Sequence, residues 1–235
     1  METFGSSTHK GIGAALESKE PRRRGFAEYR QFIREHYDGL PGALTRFTGL
    51  VTGHEALAGK LIRPAAFDVR GCRRVLDAGC GNGRYSRFLL RQSDADARIT
   101  AFDLSQNMLR RARQRVPSER VSFAAADLTR LPYADQSFDA VVSGWVLEHL
   151  PDPRTGLREL ARVLRPGGKL LLLTTEDTLL GAMCSRMWHC RTYNRAALRE
   201  VCKECGLRWQ RELWFSPVHG WLKLGGIIVE LCKDR

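Results

Sequence analysis

No run of apolar residues in this chain approaches the roughly eighteen needed to cross a bilayer, and no apolar signal region lies near Met1. A soluble, non-secreted, cytoplasmic protein is therefore the expectation. Acidic residues are scarce beside basic ones, 26 against 38, giving a formal net charge of +12. That surplus leaves three kinds of partner open: nucleic acid, an anionic membrane surface, or an acidic small substrate. It also fits a plainly solvated surface, since Arg84, Arg87 and Arg91 recur at helical spacing. There is no internal repeat. A second Cys-x-x-Cys to match Cys202-Lys203-Glu204-Cys205 is lacking, and these two cysteines fall inside a predicted helix, so no metal site is expected despite Cys184, His189 and Cys190 upstream. The cysteines number seven, an odd count, and Cys80 sits in a glycine turn that a disulfide would distort. Reduced thiols are the simpler reading.

What is present is concentrated between Arg73 and Leu90. Val75 and Leu76 form a short apolar run, Gly79, Gly81 and Gly83 alternate after it, and Tyr85, Phe88 and Leu89 return at helical spacing. This reads as strand, sharp turn and helix start. The turn lets backbone N–H groups and a helix N-terminus face a ligand at close range. Several nucleotide-binding folds share such glycines, but Asp77 just before them would repel a phosphate and welcome an ammonium. About twenty residues on, Arg98–Asp103 ends a second predicted strand in Asp103, placed to accept from both hydroxyls of a ribose. An adenosine cofactor with a cationic tail fits this pair better than NAD and its pyrophosphate.

The ordered segments Asp77-Ala-Gly-Cys-Gly-Asn-Gly83, Phe102-Asp-Leu-Ser-Gln-Asn-Met108, Ala126-Asp-Leu128, Ser137-Phe-Asp-Ala-Val-Val-Ser143, Leu147-Glu-His-Leu150 and Leu164-Arg-Pro-Gly-Gly168 resemble the motifs of class I S-adenosylmethionine-dependent methyltransferases. The likeness is closest to the branch that methylates small molecules and lipids, the "type 11" kind, and covers roughly Arg73 to Thr175. It implies S-adenosylmethionine as cofactor and S-adenosylhomocysteine as product. The implied fold is α/β: a Rossmann-like, doubly wound, seven-stranded sheet, mostly parallel, with an antiparallel C-terminal strand and an N-terminal helical cap. The implied cofactor-binding residues are Asp77, Gly79, Cys80, Gly81, Gly83, Asp103, Leu104, Met108, Asp127, Leu128, Ser143 and Trp145, with Asp127 accepting from the adenine amine. Methyl transfer is a positioned displacement that can need a base. His149, Glu148 and Tyr37 are the candidate catalytic residues, with His36, His189 and Tyr193 as rivals or helpers.

Three regions follow from the pattern. Residues 1–24 read as a basic tail ending in Arg22-Arg23-Arg24, and residues 25–70 as a helical cap with an amphipathic helix from Gly25 to Tyr37 and a second helical stretch over Ala43–Phe67. Residues 71–235 form the catalytic domain, in which 176–193 is an insertion covering the substrate. Asn194 is predicted to cap a helix ended by Gly206, before a final pair of strands, Leu207–Phe215 and Gly226–Cys232. The linker between them, Ser216 to Leu224, is unusually apolar for a loop. A small or lipid-like acceptor is expected, with peripheral contact to an anionic membrane. Nucleic-acid methylation is the runner-up, supported only by charge, because Ser143-Gly144-Trp145-Val146 lacks the Asn/Asp-Pro-Pro-aromatic arrangement of base-amine methylating enzymes. A non-catalytic cofactor-binding protein is a third reading. The acceptor's identity and the oligomeric state are not encoded in any pattern here.

Overall fold

The computed structural model describes residues 25–38, 54–221 and 226–234. The basic tail, the first part of the second cap helix and Leu222–Leu224 lie outside them. In order, the elements are α1 (Phe26–Asp38), α2 (His54–Leu61), β1 (Arg74–Ala78), α3 (Arg84–Gln92), β2 (Arg98–Asp103), α4 (Gln106–Arg115), β3 (Val121–Ala125) and β4 (Phe138–Gly144). A 3-10 turn at Leu147–His149 leads to α5 (Pro153–Val163), β5 (Leu164–Thr174), α6 (Leu179–Trp188), α7 (Arg195–Glu204), β6 (Leu207–Glu212), α8 (Pro217–Trp221) and β7 (Ile227–Lys233).

The strands make one sheet in the order β3-β2-β1-β4-β5-β7-β6. The pairings from β3 through to β5 are parallel, and β7 runs antiparallel to both β5 and β6. This is the expected doubly wound sheet with its C-terminal strand reversed. Alternate residues feed two cores. Leu76, Ala78, Val141, Leu170 and Leu172 pack with Leu157 and Leu160 of α5 and Leu198 and Val201 of α7 on one face. Val75, Ile99, Val142, Leu171 and Leu173 pack with Leu61, Leu89 and Leu109 of α2, α3 and α4 on the other. Both faces of the central strands are covered, so β4 and the second half of β5 are apolar almost throughout, whereas the edge strand β6 is polar and exposed.

Local chemistry sets the helix starts. Ser105 accepts from the Met108 N–H at 3.1 Å, and Asn194 accepts from those of Ala196 and Ala197 at 3.0 and 3.1 Å. Gly206, at φ 75°, closes α7 as expected. Boundaries differ from expectation in several places. The second cap helix ends at Leu61 rather than Phe67. β5 begins at Leu164, so Arg165–Gly168 form an irregular stretch against β4 within the strand rather than a loop. β6 stops at Glu212 rather than Phe215. The apolar linker winds into α8, which Gly220 allows by leaving room for the Trp214 ring.

The β7 entry tests this geometry. Gly226 sits at φ +79°, and a Cβ there would lie 2.5 Å from the Thr174 carbonyl oxygen at the end of β5. Gly226→Ala combines left-handed strain with a backbone clash and should cost roughly 2 kcal/mol or more. Gly71 has a similar φ of +74° with nothing within 4 Å. Gly71→Ala should therefore cost only the strain, about 1 kcal/mol. Urea denaturation of the two variants checks the ordering; equal losses would reject the close approach of β7 to Thr174.

Candidate functional site

The carboxyl ends of β1, β2 and β4 converge on the glycine turn. Gly79, Gly81 and Gly83 have φ of 70°, 52° and 79°, a run that a Cβ would strain. At Gly79 a Cβ would also overlap the Val146 side chain. Asp103, at the end of β2, accepts from the Gly81 N–H at 2.8 Å and from the Ser105 N–H at 2.9 Å. One carboxylate thus joins the turn to the cap of α4.

Asp77 is 1% exposed, and one of its oxygens accepts from the Ser86 hydroxyl at 2.5 Å. Its other oxygen has no hydrogen-bond partner, nor do the Ser143 hydroxyl and the Tyr85 phenol. Ser143 stands beside Ala78 across the β1/β4 register. Burial pushes the Asp77 carboxyl up to about 7, with the Ser86 hydrogen bond pulling the other way and the Asp103 charge adding to the rise. Unpaired buried polar atoms are costly, and these three lie beside the turn. A ligand with cationic and polar groups would satisfy them.

The remaining expected cofactor residues lie around this edge. Cys80 is buried, its thiol pushed well up by desolvation. Leu104 packs at the margin of one core, and Met108 is buried in the first turn of α4. Asp127 accepts from the Thr129 N–H and hydroxyl at 2.9 and 2.8 Å and pairs with Arg30 of α1, whose Nε lies 2.5 Å away. Leu128 is 3% exposed and packs near Leu150 across Gly156. Trp145 takes a left-handed φ of 56° and stacks between Tyr85 and Phe215, each centroid 6.4 Å distant. Tyr29 of α1 is 5% exposed, its phenol pushed up by burial and by the charges of Asp127 and Asp103. α1 therefore lies across the side of the edge that carries Asp103 and Asp127. Arg30, Ser86 and Phe215 were missed by sequence reasoning. Their only signal was indirect: Ser86 lies one turn into α3, and Arg30 beside a stripe residue.

The candidate catalytic residues separate into different settings. Glu148 is 3% exposed and accepts from the Thr174 and Thr175 hydroxyls, both at 2.7 Å. Its backbone carbonyl accepts from the Arg191 N–H at 2.9 Å. Burial lifts its carboxyl to about 7 against those hydroxyl hydrogen bonds. The group is a strut that pins the 3-10 turn to the end of β5. His149, on the same turn, is only half-buried. The Tyr193 phenol donates to the Leu147 carbonyl at 2.9 Å, and His189 packs edge-on against Phe32 at 6.1 Å. The side chains of His36 and Tyr37 lie outside the described residues.

Both raised carboxyls link stability to pH. Their folded values, about 7, exceed the ordinary 3.8 and 4.5, so the stability each contributes is complete below those values and is lost as pH rises through about 7. At about 1.4 kcal/mol per pH unit each accounts for several kcal/mol. The ligand-free protein should lose stability between about pH 4 and pH 7. Glu148→Gln should remove roughly half of that fall, as read from urea midpoints, and an undiminished slope would show that the carboxyl is not desolvated.

Comparison with known proteins agrees with this geometry. Residues 76–172 match the methyltransferase-domain family. The chain is 46% identical over 112 residues to methyltransferase GfsG of Streptomyces halstedii, an alignment covering 45% of this chain and 38% of that protein. It is 37% identical over 138 residues to the demethylmenaquinone methyltransferase of Clavibacter sepedonicus, covering 58% and 55%. The chain thus spans about half the length or less of these curated relatives. In fold it resembles the methyltransferase solved with the Trm112 methyltransferase activator of Haloferax volcanii, at TM-score 0.68 and 20% identity, covering 88% of this chain and 98% of that one. With the glycine turn, the two acidic strand ends and the sheet order in place, residues 76–172 are a methyltransferase domain of the class I S-adenosylmethionine-dependent kind.

Proposed function

We propose that the protein methylates an oxygen or nitrogen of a small, hydrophobic or lipid-like acceptor, releasing S-adenosylhomocysteine, and that it works in peripheral contact with a membrane. The observation that carries the cofactor half is the set of unpaired buried atoms, Asp77 Oδ1 and Ser143 Oγ, beside a glycine turn held by Asp103. Asp77 is suited to an ammonium, Asp103 to a ribose, and Asp127 with Met108 to the adenine side. S-adenosylmethionine supplies an electrophilic methyl carbon on a sulfonium. Bound there, that methyl group would be open to in-line attack by an acceptor oxygen or nitrogen, and this chain's own part would be to place the acceptor and, through a base, to take its proton. His149 is the candidate for that base, held by the Glu148 strut beside it, with Tyr37 as the alternative on α1.

The cap of residues 25–70 and the insertion of 176–193 are the parts of the 71–235 domain and its flank that would enclose the acceptor, with the basic tail before them. The Clavibacter relative is named for demethylmenaquinone, which supports a quinone-like or other hydrophobic acceptor. Among the described residues no helix is long and apolar enough to cross a membrane, so contact with lipid would be at the surface.

Asp103→Ala should weaken S-adenosylmethionine binding by roughly 1.5–3 kcal/mol or more in calorimetry, since a charge-assisted acceptor is removed. Unchanged affinity would reject the ribose assignment. Because an ammonium favours ionised Asp77, affinity in the wild type should rise as pH passes through about 7, and Asp77→Asn should flatten that rise. His149→Ala should lower kcat about a hundredfold with cofactor affinity intact. A loss of only a few-fold would leave proximity as the main source of rate and move attention to Tyr37.

A further inference from the structure

Every large hydrophobic side chain that stays highly exposed among the described residues belongs to one of two helices. α6 leaves Leu179, Leu180, Met183 and Met187 between 50% and 85% exposed, and α8 leaves Val218 and Trp221 at 61% and 83%. On α6 these positions fall at i, i+1, i+4 and i+8, a single stripe. Scattered apolar residues need no explanation, but confinement to two helices does.

The two helices rise from the same place. α6 follows β5 and α8 follows β6, and these strands run in the same direction because each is antiparallel to β7 between them. Their roots are tied by one guanidinium: Arg195 donates to Glu176, just before α6, at 2.8 and 2.7 Å, and pairs with Glu212, at the end of β6, at 3.0 Å. It also lies over the Trp214 ring, 5.2 Å from its centroid. Both helices border the candidate site as well. Phe215, just before α8, stacks on Trp145, and Arg191, just after α6, binds the Glu148 carbonyl.

Charge selects the occupant. Neither α6 nor α8 contains a carboxylate, and α6 carries an exposed Arg186. Of the acids at their roots, Glu176 and Glu212 share the one charge of Arg195 and are held against it rather than presented on the helices, and Asp177 accepts from the Thr192 hydroxyl at 3.4 Å. The rest of the chain is strongly basic. Leu179 and Trp221 project into solvent rather than line a groove, a shape that suits a deformable surface more than a rigid partner. Exposed leucine, methionine and tryptophan beside arginine and without acid is what an interfacial protein presents to anionic lipid.

We propose that α6 and α8 together form a docking face for a bilayer bearing anionic headgroups, which holds the acceptor side of the site against the membrane. The proposal rests on the hydrophobic-acceptor reading and names the surface that would serve it.

The test is co-sedimentation of the full chain with vesicles of phosphatidylcholine alone or mixed with phosphatidylglycerol, without cofactor or acceptor. The variants are Leu179→Glu with Met183→Glu on α6, and Trp221→Glu on α8, all at exposed positions, with thermal melts confirming that they fold. Wild type should bind the anionic vesicles, and each variant should lose roughly tenfold or more in partitioning. Salt should weaken the wild-type binding without abolishing it, because the charge attraction is screened and the apolar insertion is not. No wild-type binding, or variants that bind as wild type, would overturn the proposal. So would a concentration-dependent dimer in sedimentation velocity that the same variants abolish while vesicles are ignored, since the face would then belong to a second copy. Cofactor affinity measured in parallel keeps the two readings apart: a chain that binds vesicles but not S-adenosylmethionine overturns the proposed activity and leaves the docking face standing.

Discussion

The carboxyl edge of the sheet is organised around a carboxyl group that the fold buries and does not fully satisfy. Asp77 has one oxygen on Ser86 and the other on nothing, at the floor of a turn whose glycines hold a left-handed backbone. Taking such a group from water costs free energy unless a partner compensates. The surrounding packing, with Val75, Leu76 and Ala78 wholly buried on both faces, supplies the stability that tolerates it. A site built in this way trades stability of the empty protein for attraction toward a cation. Neighbouring groups are arranged around that trade: Asp103 holds the turn in shape, and Ser143 and Tyr85 add further unmet polar capacity at the same edge.

The local parts of this arrangement could be read from sequence because local rules determine them. Alternating glycines after an apolar run specify a sharp turn, a serine before a helical stripe specifies a cap, and an acid at a strand end can point only to the edge where ligands bind. Five strands and the helices between them followed from periodicity, and the reversed last strand from the resemblance. The non-local parts were hidden. Arg30 and Asp127 are separated by 97 positions, and nothing in either neighbourhood announces their pairing. The Tyr85, Trp145 and Phe215 stack joins three distant segments through shape alone. Glu148 illustrates a subtler case. Its position next to His149 suggested shared chemistry, but the 3-10 turn sends one side chain into the core and leaves the other half-exposed.

Trp145 shows how packing overrides preference. A large aromatic residue in the left-handed region is disfavoured, and it persists only where the surroundings fix it. Here two flanking rings and the backbone bond from its N–H to the Leu173 carbonyl at 2.9 Å do so. The strained backbone lies at the point where β4 ends. That placement makes the indole a wall between Tyr85 of α3 and Phe215 just before α8.

Placing β7 between β5 and β6 has a consequence for how the protein is made. Among the described residues β6 hydrogen-bonds to no strand but β7, so although it is synthesised earlier it has no place in the sheet until β7 has left the ribosome. Phe215 and α8 hang from β6, and with them one of the two rings that grip Trp145. The central strands can collapse early on local crossovers, as domains commonly do during synthesis. The Trp145 and Phe215 end cannot. During translation the nascent chain therefore passes through a stage with a formed glycine turn and an unfinished wall, and β7, which follows the other six strands of this sheet, is the one that completes it.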